Sequence, residues 1–272
     1  MKPGPRPWTG DAGSYLATTA QLLAQVEPQV RAFTHLDSAV LSQPDIGGRG
    51  PLRGMPVAVK EIIDVAGLPT THGSAVHAGR VPRHDADAVA RLRAAGAQVL
   101  GMTTTTPFAC GTTTATDNPR APGHTPGGSS AGSGAAVGAG FVPVALASQS
   151  QASTLRPASY CGAWGFKPSH GRLPTTGMHL LAPILDDLGI IAASLADLTA
   201  AFSVLAMPRP VAVPDPGDAL RIGRVRLADG GLPEPATTAA LDQLVARLQT
   251  RWNIEADRAE LRAIDAELTG SG

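Results

Sequence analysis

Residues 123–134, GHTPGGSSAGSG, constrain the fold of this chain more than any other segment. Gly/Ser-rich stretches usually act as flexible linkers. Here a small-residue run with helical character continues to about Gly140, and the apolar segment FVPVALA (141–147) follows at once. A loop of small residues held between packed elements lets its backbone come close to something, because no Cβ stands in the way. Something is therefore expected to lie close against the backbone of 123–134.

Phosphate is the first candidate, and the sequence excludes it. A phosphate loop needs Gly-Lys-Ser/Thr, which occurs nowhere in the chain. Gly132, Gly134 and Gly138 give GxGxxxG, close to the dinucleotide fingerprint, but that motif also wants an acidic residue about 20 positions on to hold the ribose. No Asp or Glu lies between Asn118 and Leu185. The same gap limits serine chemistry: Ser153 has no carboxylate nearby in sequence to orient a histidine, unless folding brings a distant one such as Asp64 close. The seven histidines (35, 72, 77, 84, 124, 170, 179) form no HExxH or similar ligand pair. No metal is expected, and each histidine reads as a satisfied loop or surface group. Cys110 and Cys161 are too few for a zinc site or a disulfide framework. Cys161 reads as a small core residue.

Around the loop the pattern alternates between strand and helix. GMPVAVK (54–60) is a short buried strand ending in lysine. DADAVARLRAA (85–95) is a helix closed by Gly96, and AQVLGM (97–102) returns as a strand. Upstream, Leu22, Leu23, Val26 and Val30 mark a helix interrupted near Pro28. Downstream, a helix over 194–206 starts at Ser194 as its N-cap. A strand is expected over 219–227 and another helix over 258–268. A further helix over 237–252 carries Leu241, Leu244, Val245 and Leu248 on one face. The Pro-rich segment 208–217 is the best linker candidate.

Charge and composition narrow the class. The chain holds 22 basic and 22 acidic residues with no basic run, so it lacks the electrostatic footprint of a nucleic-acid or anionic-membrane binder. No apolar stretch approaches the ~20 residues of a membrane span, and the opening MKPGPRPWTGDAG has no apolar leader core. A soluble cytoplasmic protein is expected. Only three basic residues are lysines, namely Lys2, Lys60 and Lys167. Arginine stays protonated at any working pH, whereas lysine can be tuned into a base. Lys60, ending an apolar strand, is placed for that tuning.

Three segments then carry a resemblance. GPLRGMPVAVKEIIDVAGLPTTHGS (50–74), HTPGGSSAGSGAAVGAG (124–140) and QSQASTLRPASYCGAWGFKPSHGR (149–172) closely resemble three successive blocks of the amidase signature family, in the same order. The similarity runs from about residue 15 to 206. The resemblance implies an α/β fold, with a mixed twisted β-sheet covered by helices on both faces, in a single domain over 1–272. It implies a hydrolase acting on a small-molecule amide, without cofactor, nucleic acid or membrane, and it leaves room for a homo-oligomer. Lys60 falls on the family's catalytic lysine, Ser129 on the serine whose peptide bond is cis, and Ser153 on the nucleophile just before the (I/L)RPA segment. Backbone N–H groups of the turn Ser150-Gln151-Ala152-Ser153 would be the oxyanion donors. Arg156 is expected to fix a loop, and Lys167 to belong to the scaffold. In that scheme Lys60 must be neutral, so its pKa has to fall from ~10.4 toward ~7–8, a shift of ~4 kcal/mol supplied by burial away from any carboxylate.

The match departs from the family pattern in three places. Gln151 and Ala152 stand where the family usually keeps glycine, which would matter if the turn needs positive φ or close substrate approach. Pro107 stands where relatives often have Glu. Full-length relatives continue well past the point corresponding to residue 272, so the chain is expected to be short of the family's C-terminal part. A non-catalytic amidase-fold protein is therefore the alternative, and one component of a glutamine-dependent amidotransferase a minor one.

Overall fold

Residues 4–42, 49–207, 221–224, 234–249 and 253–256 are described by a computed structural model of the chain. They belong to two compact units, Met1–Arg209 and Pro210–Gly272. The larger unit runs α1 (Ala12–Val30), β1 (Phe33–Leu36), α2 (Ser38–Ser42), β2 (Pro56–Lys60), α3 (Asp87–Ala94), β3 (Gln98–Thr103), α4 (Ala131–Gly138), β4 (Val144–Gln149), α5 (Leu155–Tyr160), β5 (Trp164–Phe166), β6 (Asp187–Ala192) and α6 (Leu195–Leu205). Its strands form one sheet in the order β1-β3-β2-β4-β6-β5. The β2–β3 and β2–β4 pairs are parallel and the others antiparallel, so the sheet is mixed.

Side chains alternate across the central strands and so create two cores. Val57, Val59, Val144, Leu146, Leu188 and Ile190 point to one face, against Val89 and Leu92 of α3 and Leu198 and Leu205 of α6. Ala58, Ala145, Ala147, Leu100 and Ile191 point to the other, against Leu22 and Leu23 of α1, Ala135 to Val137 of α4 and Ala158 of α5. Helices thus cover both faces, as expected. On the second face β2 and β4 present alanines rather than valines and leucines, which lets a helix come close.

That helix is α4, buried at every residue from Ala131 to Gly138. Its glycines are there for want of room. A Cβ on Gly132 would stand 2.2 Å from Ala32 O and 2.3 Å from Thr104 N; one on Gly134 would meet Pro157 at 2.8 Å, and one on Gly138 would meet Cys161 at 2.7 Å. The partner of the 123–134 loop and its helix is therefore the protein's own main chain, at the end of β3 and along α5.

Several expected elements recur with small shifts. Ser194 caps α6, its Oγ accepting from Asp197 N, and Gly96 (φ 92°) closes α3. The interruption near Pro28 does not occur: α1 runs through it to Val30 and stops at Arg31 in the left-handed region. Pro28 lies in the last turn, where only one intrahelical bond is lost. Strands β1, β5 and β6 are not anticipated by the sequence pattern. In the smaller unit, β7 (Arg221–Arg224) pairs in parallel with β8 (Asn253–Ala256), and α7 (Pro235–Gln249) connects them in sequence. Leu241 and Leu244 of α7 are exposed. The segments 208–217 and 258–268 lie outside the described residues.

Candidate active site

The chain crosses from β3 over β2 to β4, so the parallel strands on either side of β2 run out at a switch point. Ligands bind α/β sheets at the carboxyl ends of strands where the order reverses in this way. Lys60 ends β2, Thr103 ends β3 beside it, and Ser148 and Gln149 end β4. A cleft of about 750 Å³ opens at this edge, lined among others by Thr106, Gly128, Ser129, Ser150, Gln151, Ala152, Ser153, Arg156, Tyr160 and Leu185.

Lys60 is fully buried. Its Nζ lies 2.7 Å from Ser129 Oγ and 2.8 Å from Ser148 Oγ. Burial lowers its pKa from the ordinary 10.5 to about 7, which leaves a substantial neutral fraction near neutrality. Ser129 follows a cis Gly128–Ser129 peptide bond and is itself 4% exposed while lining the cleft. Ser153 lines the same cleft, and its carbonyl accepts from Ser130 N at 3.3 Å. The structure thus brings all three expected residues to one edge of the sheet: Lys60 bonds Ser129, and Ser129 and Ser153 line the same cleft.

The turn 150–153 is held from both ends. Gln149 Oε1 accepts from Thr154 N and Leu155 N, each at 3.0 Å, which caps the start of α5 and closes the turn on itself. No left-handed residue occurs in it: the non-glycine residues with positive φ among those described are Arg31, His72, Phe108 and Ala109. Gln151 and Ala152 therefore sit in the turn without backbone strain. The N–H groups of 150–153 donate to no protein acceptor among the described residues. Arg156 lies on the rim and donates to Gly128 O at 3.4 Å, in keeping with a loop-fixing role.

The family model described as Amidase matches residues 19–266. The chain belongs to the amidase family. It is 38% identical over 239 residues to the A subunit of glutamyl-tRNA(Gln) amidotransferase from Thermus thermophilus, covering 80% of this chain and 50% of that protein. It is 43% identical over 174 residues to a 1-carboxybiuret hydrolase subunit of a Pseudomonas species, covering 61% and 37%. Among solved structures, 6-aminohexanoate cyclic dimer hydrolase superposes with a TM-score of 0.80 at 27% identity, covering 92% of this chain and 58% of that one. The peptide amidase of Stenotrophomonas maltophilia gives 0.75 at 28% identity, covering 90% and 58%. The chain spans about half the length of the curated relatives it matches.

Three residues beside this cleft are not foreseen by sequence reasoning. Ser148 is the second partner of Lys60 Nζ, and Gln149 is the cap described above. Asp186 overturns the expectation that no carboxylate stands near Lys60, because it begins just past the acid-free window and its charge favours the ammonium, in opposition to the larger effect of burial. Asp64, the distant carboxylate considered for Ser153, is engaged elsewhere, in a bidentate pair with Arg80 at 2.7 and 2.8 Å. His72 also departs from expectation. It is buried, its Nδ1 has no partner among the described residues, and burial takes its pKa to about 4 beside His179 and His77. Among the described residues no group of His, Cys, Asp and Glu could hold a metal. Cys161 is buried, its thiol pushed up to about 12 by desolvation, and Lys167 pairs with Asp187 at 2.8 Å as part of the scaffold.

Proposed function

We propose that the chain supplies the reaction centre of an amide hydrolase with Ser153 as nucleophile, Ser129 as proton relay and Lys60 as base. The observation that carries this reading is the 2.7 Å contact between the fully buried Lys60 Nζ and Ser129 Oγ, with Ser129 and Ser153 lining the same cleft. Ser153 Oγ attacks the amide carbonyl, and its proton passes through Ser129 to neutral Lys60. The N–H groups of 150–153 stabilise the tetrahedral oxyanion. Collapse expels the amine, protonated back along the same path, and leaves an acyl-enzyme that water hydrolyses. Among the described residues the cleft lining carries one guanidinium, Arg156, and no carboxylate, so neutral or anionic amides suit it better than cationic ones.

The test is modification of purified protein by a fluorophosphonate probe, with the adduct mapped by mass spectrometry and Ser153→Ala as control. Single labelling of Ser153, absent in the variant, supports the reading. Labelling elsewhere, or none, overturns it and favours a non-catalytic role.

A second reading draws on the glutamyl-tRNA(Gln) amidotransferase matches, at 38% identity over 80% of this chain. On that reading the same chemistry releases ammonia from glutamine for use by a partner protein. Ammonia release from glutamine, against a panel of simple amides, separates the two.

A further inference from the structure

We infer that Asp186 is a positioning residue that holds the oxyanion turn and the facing cleft wall in one frame around Ser153. This rests on the reading of Ser153 as nucleophile. Asp186 stands immediately before β6 and is 5% exposed. Its Oδ1 accepts from Ser150 Oγ. Its Oδ2 accepts from Leu181 N at 2.5 Å and Ala182 N at 2.8 Å. Ser150, Leu181 and Ala182 all line the cleft, so a single carboxylate joins two of its walls that are remote in sequence.

A buried carboxylate is costly unless its lone pairs are met by donors, and here the donors come from both walls. Displacing either wall leaves part of a buried anion unpaired, a penalty larger than the worth of an ordinary neutral hydrogen bond. The joint is therefore stiff where stiffness matters, because the N–H groups of the turn must already point at the site where charge develops. Asp186 lies outside the cleft lining and acts through Ser150 and the two backbone groups. Its charge also favours the ammonium form of Lys60, which gives the joint a signature in the pH profile.

Other ionisable groups are near. Asp187, next in the chain, is held by Lys167 at 2.8 Å and His170 at 3.1 Å. Cys110, Arg156 and Tyr160 line the cleft. All are retained in the variants below and cannot cause a difference between them.

The experiment measures the rate constant for fluorophosphonate modification of Ser153 from about pH 5 to about pH 10, spanning the range in which Lys60 loses its proton. Parent, Asp186→Asn and Ser150→Ala are compared. Asp186→Asn should lower the plateau rate about tenfold or more, the scale of a misplaced reacting group. It should also move the acid limb to lower pH, because Lys60 loses an anion that favours its charged form. Ser150→Ala breaks the joint but keeps the charge, so its plateau should fall while its limb stays in place. An Asp186→Asn plateau within about twofold of the parent, or an unmoved limb, overturns the inference. Should Asp186→Asn fail to fold by circular dichroism, Ser150→Ala decides alone, and a plateau within about twofold overturns it. A parent that never labels at Ser153 sinks the nucleophile assignment and this inference together. A labelled parent with indifferent variants sinks the inference only.

Discussion

Lys60 Nζ and Ser129 Oγ lie 2.7 Å apart at the end of β2, and the lysine has no exposed atom. An ammonium buried beside two hydroxyls, with Asp186 as a counter-charge, is far less well compensated than one in water. Its pKa of about 7 expresses that cost, and it makes Lys60 both a usable base and a source of instability.

Substitution at Lys60 should separate those two consequences. Lys60→Arg keeps the cation but has no accessible neutral state, so Ser153 labelling should fall nearly as far as in Lys60→Ala. Labelling that persists in Lys60→Arg would make Lys60 a structural residue and end the relay scheme.

Lys60→Met should be inactive yet melt higher than the parent at acid and neutral pH. The sign follows from linkage. The folded pKa, about 7, is below the ordinary 10.5, so between these values the unfolded chain binds a proton that the folded chain does not. Stability of the parent therefore rises with pH across that window, and the penalty is fully present below about pH 7. Its upper size is roughly 5 kcal/mol, reduced by the hydrogen bonds that Ser129 and Ser148 lose to methionine. The melting advantage of Lys60→Met should shrink steadily as pH is raised toward about 10. An advantage that is flat with pH, or reversed in sign, would show that Lys60 is not held near neutrality.

Gln151 and Ala152 should prove benign. The turn has no positive-φ residue, so glycine is not needed for its geometry, and glycine would add freedom to the turn proposed to stabilise the oxyanion. Gln151→Gly/Ala152→Gly should give a kcat for a small amide equal to or below the parent value. A clear rise in kcat at constant KM would mean that the side chains obstruct the substrate.

Gln149 is the residue whose loss should cost stability without touching substrate. Its Oε1 alone serves both Thr154 N and Leu155 N, and Thr154 is fully buried. Gln149→Met orphans both donors, at about 1–3 kcal/mol for a buried group. Gln149→Glu keeps an acceptor at the same reach and should recover most of the loss. Thermal melts of the two variants check this; equal loss in both would assign the effect to packing instead.

What the sequence reveals of this site follows from the kind of signal each residue leaves. Lys60 is legible because a lysine ends an apolar strand in a chain whose other basic residues are nearly all arginine. The loop 123–134 is legible because so many small residues between packed segments demand close approach, although the backbone that approaches is the protein's own. Ser148, Gln149 and Asp186 leave no such trace. Their meaning lies in contacts made after folding, such as Asp186 reaching back 36 residues to Ser150. Strand β6, DLGIIA, escapes the alternation rule because both its faces are buried, and such strands read as plain apolar runs. The expected break at Pro28 fails for the reverse reason: the local rule is sound, but only the last turn of α1 is at stake there.

Two glycine substitutions should move stability in opposite directions, and the pair tests whether α4 is seated as closely as its composition suggests. Gly13 lies in the first turn of α1, and a Cβ there would meet only Asp11 Oδ1, at 3.5 Å. Gly13→Ala should stabilise by roughly 0.5–1 kcal/mol through reduced backbone entropy in the unfolded chain. Gly132 lies in the first turn of α4, its N–H bonded to Thr104 O at 2.9 Å. The obstacles there are the main-chain atoms Ala32 O and Thr104 N, which cannot swing aside as a side chain would. Gly132→Ala must push α4 off the end of β3 and so shift Ser129 and Ser130, which precede the helix. The cost should exceed the roughly 1–3 kcal/mol typical of one extra methylene in a packed core, and Ser153 labelling should fall with it. Denaturant melts and labelling rates on both variants give the answer. A Gly132→Ala protein as stable and as reactive as the parent would show that the helix has slack, and that its small residues serve something other than this contact.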